Sequence, residues 1–215
     1  MRKEEPDQVE PLHRLAVVAD KQRRHRDAQN LYLEALQIEP RNAELMNDLG
    51  YSFYLAGQLS KAEGALAKAT QLDPQSPRFR NNLGMVIGMQ GRMQEAFEQF
   101  AQAGSQADAH YNVAFLYSCQ NKVADAKLCF QRALLQDPAH EKARKALDSF
   151  QHFERNGGLP TEAEFTADGR RWIPYQETPD GQPNLDAMTD FGISRQVDSV
   201  FPAAHKVAQK PTTGS

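Results

Sequence analysis

The sequence predicts an all-α protein of four helix-turn-helix units and one closing helix. Three observations carry that prediction: a 34-residue repeat, a helical apolar period inside each repeat, and helix-ending residues at matching places. Ala28, Ala62, Ala96 and Ala126 are separated by 34, 34 and 30 residues. Leu15, Leu49, Leu83 and Val113 keep that spacing, as do Tyr32, Leu66, Phe100 and Phe130, and Ala35, Ala69, Ala103 and Ala133. Pro40 and Pro74 are 34 apart, and Pro138 follows 64 later. Five columns in phase mark a repeat architecture, in which each unit covers the apolar face of its neighbour.

The units fall at 9–42, 43–76, 77–106 and 107–140, after a short extension at 1–8. In the second unit Met46, Leu49, Gly50, Phe53 and Tyr54 lie at i, i+3, i+4, i+7 and i+8, the spacing of one helix face. Gly57, Gly91 and Asn121 then stand in equivalent places, and these residue types tolerate the left-handed conformation that ends a helix. A second helix follows, with Leu59, Ala62, Leu66 and Ala69 on one face. It stops at Leu-Asp-Pro, 72–74, because proline cannot continue a helix. Small residues at 50, 62 and 69 let two antiparallel helices cross closely. Gly84 and Gly88 read the same way, as close packing rather than a membrane dimer motif. The third unit is four residues short, about one helical turn, and lacks its closing proline. We expect the lost turn at the end of its second helix, with Gly104 as a tighter exit and a local change of pitch. The stretch EKARKALDSFQHFERN at 141–156 is amphipathic and suits a closing helix.

Residues 157–215 are different material. They hold six of the 13 Gly and six of the 12 Pro, with eight acidic and five basic residues. No helical or strand period is sustained. Yet Phe165, Trp172, Ile173, Tyr175, Leu185, Met188, Phe191, Ile193, Val197, Val200 and Phe201 are many large apolar groups for a solvated tail. Part of 160–201 is therefore expected to dock, through Trp172, Tyr175, Phe191 and Phe201, on the helical array or on a partner.

Composition narrows the function. The 215 residues carry 25 Lys plus Arg and 28 Asp plus Glu, for a net charge of -3. That balance argues against a general nucleic-acid binder. KQRRHR at 21–26 is basic, but it sits at a helix turn and reads as solvated. Two Cys exclude a disulfide scaffold. No run reaches the ~18 to 20 apolar residues of a membrane span, and no apolar signal segment opens the chain. A cytoplasmic protein with no membrane insertion is the resulting expectation.

These units resemble the tetratricopeptide repeat family over about residues 9–155. NDLGYSFYLAG with AEGALAKATQLDP, and NNLGMVIGMQG with AFEQFAQA, carry the likeness. The resemblance implies a right-handed superhelix whose first helices line a concave, peptide-binding groove. Ala16 replaces the family's Gly and Arg23 sits at the first turn, so the first unit matches least well. Carried over by position, the groove takes Glu44, Asn47, Asp48, Tyr51, Tyr54 and Leu55 from unit two, Arg78, Asn81, Asn82, Met85 and Met89 from unit three, and Tyr111, Asn112, Phe115 and Cys119 from unit four. Amides can hydrogen-bond an extended backbone without demanding a sequence, and Tyr and Met add adaptable apolar contacts. Asn82 and Asn112 match the family's backbone-ladder asparagine, while Asp48 interrupts it. The family's carboxylate clamp for chaperone tails needs basic residues and asparagines where this chain has His13, Val17 and Asp48, so that specialisation is rejected.

The implied function is a non-enzymatic adaptor for a protein or peptide partner, with the C-terminal extension as a possible intramolecular occupant. The alternative is an accessory factor of pilus or secretion assembly that binds folded partners, as similar short bacterial arrays do. No catalytic signature is present. HEKAR at 140–144 has Arg144 where a zinc helix needs its second His. Asp-Phe-Gly at 190–192 lacks the accompanying kinase loops. The six His have no ligand spacing, and Cys119 and Cys129 read as small buried hydrophobes. No cofactor or metal is expected.

Overall fold

The computed structural model describes residues 8–156, with side chains through Gln151. Nine helices and no strand occur among them: α1 (Val9–Lys21), α2 (His25–Ile38), α3 (Ala43–Leu55), α4 (Leu59–Leu72), α5 (Pro77–Met89), α6 (Met93–Ala103), α7 (Gln106–Cys119), α8 (Val123–Gln136) and α9 (Glu141–Asn156). Successive helices pack in sequence, α1 on α2, α3 on α4, α5 on α6 and α7 on α8, and α9 covers α8. In addition α3 reaches α5, and α5 reaches α7. The odd helices thus form the inner, concave row of an all-α superhelical solenoid, and the even helices form the outer row.

Side-chain caps set the phase of the inner helices. Asn42 Oδ1 accepts from Leu45 N at 3.0 Å to start α3. Ser76 Oγ accepts from Phe79 N at 3.4 Å to start α5, with Pro77 in its first turn. Ser105 and Asp108 form a reciprocal capping box on α7. His140 Nδ1 accepts from Ala143 N at 3.2 Å at the start of α9. At the other end of each inner helix the turn is built alike. Arg23, Gly57, Gly91 and Asn121 have φ of 60°, 71°, 86° and 56°. The next residue closes the turn through one backbone bond: Arg24 N to Ala19 O, Gln58 N to Phe53 O, and Lys122 N to Tyr117 O, each 2.9 Å. Arg23 makes this turn although a left-handed residue with a Cβ costs about 1 kcal/mol or more, so the poorest sequence match still yields the standard unit.

The third unit closes as its missing residues require. α6 has 11 residues where α4 and α8 have 14. It ends at Gly104, and Ser105 immediately caps α7. Two glycines of α5 serve different interfaces. A Cβ on Gly84 would lie 2.8 Å from Phe100 Cε1 in α6, whereas one on Gly88 would lie 2.2 Å from Leu116 Cδ1 in α7. One glycine closes its own unit and the other admits the next.

The apolar interior is divided. Val9, Ala16, Ala19, Ala28, Tyr32, Ala35, Leu36, Leu45 and Leu49 form one cluster. A larger one runs from Tyr54 and Leu66 through Leu83 and Val86 on α5 and Phe100 to Phe130 and Phe150. Phe53 packs against both. No helix among the described residues is long and apolar enough to cross a membrane.

Candidate functional site

The concave face carries a polar seam beside an apolar row. The seam begins at His13 on α1, whose Nε2 donates to Asp48 Oδ2 at 2.7 Å. Asn47 Nδ2 donates to Asp48 Oδ1 at 2.9 Å, and Asn82 Nδ2 donates to Asn47 Oδ1 at 2.8 Å. The carboxylate at its start thus fixes the orientation of both amides. Arg78 pairs with Glu44 and approaches Asp48 Oδ1 at 3.6 Å, and its guanidinium lies over the Phe79 ring. A second polar group stands nearby: His25 Nδ1 and Ser52 Oγ both donate to Asp20 Oδ1 at 2.8 Å. Burial raises the Asp20 carboxyl above its ordinary range, against the two hydrogen bonds that lower it.

This placement differs from the groove expected for several residues. Asn47 and Asn82 are buried between neighbouring inner helices, bonded to each other. Tyr54, Met85, Tyr111 and Phe115 are also buried, in the larger core. The reason is register. A position on one inner helix faces the next position of the following unit, so residues 35 apart meet: His13 with Asp48, Asn47 with Asn82. The amides turn into the seam instead of the open face. Pairs of complementary side chains at the repeat length plus one are the signal that finds this in a sequence. The basic groups His13 and Arg78 are already engaged by Asp48, from within the chain.

Tyr51, Arg78, Asn81, Met89 and Asn112 stay half-buried. Leu55, Met89 and Cys119, at spacings of 34 and 30, form a half-buried row across α3, α5 and α7, with Tyr51 one turn before Leu55. All four pack on the larger core. Burial pushes the Cys119 thiol up to about 12 and raises the Tyr54 hydroxyl as well. These groups are neutral at physiological pH, and the row is apolar. Among the described residues no cluster of His, Cys, Asp and Glu could hold a metal ion. Trp172, Tyr175, Phe191 and Phe201 lie outside the described residues.

The seam should be readable by pH. The Asp48 hydrogen bond raises the His13 pKa above 6.5, burial opposes it, the Asp48 and Glu10 charges add to it, and Arg78 subtracts; the Tyr32 ring also faces it. A folded-state pKa above the unfolded value gives stability that is full below pH ~6.5 and is lost as pH rises through the folded value. Urea midpoints of the wild type and His13→Gln, compared between pH 6 and 8.5, should therefore converge toward the alkaline end. A constant gap would mean that His13 acts only through packing.

A family model described as tetratricopeptide repeat matches residues 13–77 and 56–111, and a second with that description matches 107–140. No curated protein matches the chain by sequence. Solved structures do. MamA is 20% identical, with 69% of this chain and 82% of that chain covered and a TM-score of 0.51. YrrB, described as a protein of this repeat type with an unusual peptide-binding site, is 24% identical, with 66% and 75% covered and a TM-score of 0.51. PilW, described as a widely conserved type IV pilus biogenesis factor, is 20% identical, with 69% and 70% covered and a TM-score of 0.51. At these identities the likeness is one of fold.

Proposed function

The chain belongs to the tetratricopeptide repeat family, and on that premise we propose that it is a non-catalytic adaptor that grips a peptide segment in its concave groove by apolar side chains. The observation that carries this reading is the row Tyr51, Leu55, Met89 and Cys119, half-exposed on an otherwise buried core. Asn82, one of the two asparagines matched to a backbone ladder, is occupied in the seam by Asn47, so the open face offers chiefly tyrosine, leucine, methionine and a neutral thiol. Such a surface takes large aliphatic or aromatic side chains and adapts to several of them. Asn81 and Asn112, half-buried beside the row, are left to hydrogen-bond the ligand backbone. YrrB, with its unusual peptide-binding site, is a fold-level parallel. The chain's own Trp172–Tyr175 stretch has the required chemistry and is a candidate occupant when no partner is present.

Peptides selected from a random display library against the full-length protein should be rich in large apolar residues. Leu55→Glu/Met89→Glu should weaken the best of them at least tenfold, about 1.4 kcal/mol, with helicity unchanged. Equal affinity for wild type and variant would remove the groove from the account.

A second reading is an assembly factor that holds a folded partner on its outer row. Leu33 and Ile38 on α2, and Leu128 and Leu135 on α8, favour it, because all four are exposed large apolar residues on even helices. PilW, described as a pilus biogenesis factor, shares the fold. The two readings separate by which face a partner protects.

A further inference from the structure

The first helix leaves open a surface that the later inner helices have covered. Leu49, Leu83 and Val113 are at most 6% exposed, whereas Leu15, their repeat equivalent, is 56% exposed. Three residues further on, Val86 and Leu116 are at most 1% exposed and Val18 is 39% exposed. In α3, α5 and α7 these columns lie in the helices that pack on the preceding even helix, α2, α4 and α6. The outward face of α1 is therefore a unit-to-unit interface that nothing covers among the described residues. Terminal faces of this kind require a polar-backed cover to remain soluble.

The surroundings select the occupant by charge. Lys21 is exposed one turn beyond Val18, and Arg23, Arg24 and Arg26 are exposed in the turn that follows. Residues 8–27 carry five basic and three acidic side chains. A second copy would present the same charge to its twin, and like charges at close range oppose that pairing. Residues 2–7, Arg-Lys-Glu-Glu-Pro-Asp, have no large apolar group to offer. Residues 176–201 have both properties. They hold five acidic residues and one basic, together with Leu185, Met188, Phe191, Val197, Val200 and Phe201. Reach is sufficient. The 28 residues 157–184 extend up to roughly 90 Å, and α9 stands four unit spacings from α1, about 40 Å at ~10 Å each.

We propose that the acidic, apolar segment 185–201 covers the Leu15–Val18 face of α1 in the same molecule and closes the N-terminal end of the solenoid. This surface is distinct from the groove, so the proposal stands or falls independently of the peptide-binding reading. The cover gives the basic turn a role, since Lys21 and its neighbours meet Asp186 and Asp190.

Hydrogen exchange on the full chain tests it. In Phe191→Ser/Val200→Ser/Phe201→Ser, amides of residues 9–21 should exchange at least tenfold faster than in the wild type, while those of 59–150 stay within twofold. Lys21→Glu/Arg26→Glu should accelerate the same amides, and adding Asp186→Lys/Asp190→Lys should restore the slow rate. Exchange of residues 9–21 unchanged by the triple serine variant overturns the proposal, as does a failure of the charge swap to rescue. Protection that grows with protein concentration also overturns it, because the occupant would then be a second molecule.

Discussion

Gly88→Val should destabilise the protein by about 3 kcal/mol, at the upper end of what overpacking a core costs, with urea unfolding followed by circular dichroism as the measurement. A side chain at a helical glycine ordinarily helps, since glycine gives up about 1 kcal/mol of helix propensity relative to alanine. Packing reverses the sign here. A Cβ at 88 would stand 2.2 Å from Leu116 Cδ1 and 3.2 Å from its Cγ. Leu116 is fully buried and has nowhere to retreat. The clash falls between α5 and α7, so it wedges two units apart instead of distorting one. Gly64 supplies the control: a Cβ there meets nothing within 4 Å. Gly64→Ala should therefore stabilise by about 0.5 to 1 kcal/mol. If the two substitutions moved stability in the same direction, the close approach of α5 and α7 would be disproved.

Asn82→Ala should cost about 2 to 3 kcal/mol, the sum of an unsatisfied buried acceptor on Asn47 and a small cavity. Asn82 is 2% exposed and its Nδ2 is the donor that Asn47 Oδ1 accepts. Removing it leaves Asn47, itself fully buried, still donating to Asp48 but accepting from nothing in the seam. Asn47→Ala should lose a comparable amount. The double variant should lose clearly less than the two singles combined, because each removes the other's unmet need. Strict additivity in that cycle would show that the amides do not depend on one another. A drop in peptide affinity on Asn82→Ala would thus report a weakened array rather than a lost ligand contact, unless stability is measured alongside.

The sequence showed the repeat, the helix pairing, the left-handed turn residues and the short third unit, because each rests on a local rule repeated several times. Proline and glycine act on their own backbone wherever they occur, and four copies average out an outlier such as Arg23. The groove was harder to see. Whether Asn47 faces a ligand or the neighbouring helix depends on the shift of one inner helix against the next, and a single unit holds no record of that shift. The partner residues are 35 apart, and only the complementarity of His13 with Asp48, and of Asn47 with Asn82, betrays it. Tyr54, Met85, Tyr111 and Phe115, expected on the groove by position, are buried for a related reason: an inner helix of an array buries more of its circumference than its apolar stripe suggests. Leu55 and Cys119, expected on the groove by position, are half-buried in the apolar row.

The divided interior makes α3 a splint between two bodies. Its first turns, through Leu45 and Leu49, are seated in the N-terminal cluster, and its last, through Tyr54, in the larger one. Breaking a helix in its middle forfeits hydrogen bonds at a new pair of ends, so order tends to propagate along it. A fraying front that starts at α1 can melt the first cluster and still halt at α3, where the remaining anchors begin. The molecule then has a natural intermediate length, a loosened leading unit tethered to an intact trunk. Under tension applied at its ends, such a chain would lengthen in two steps rather than one.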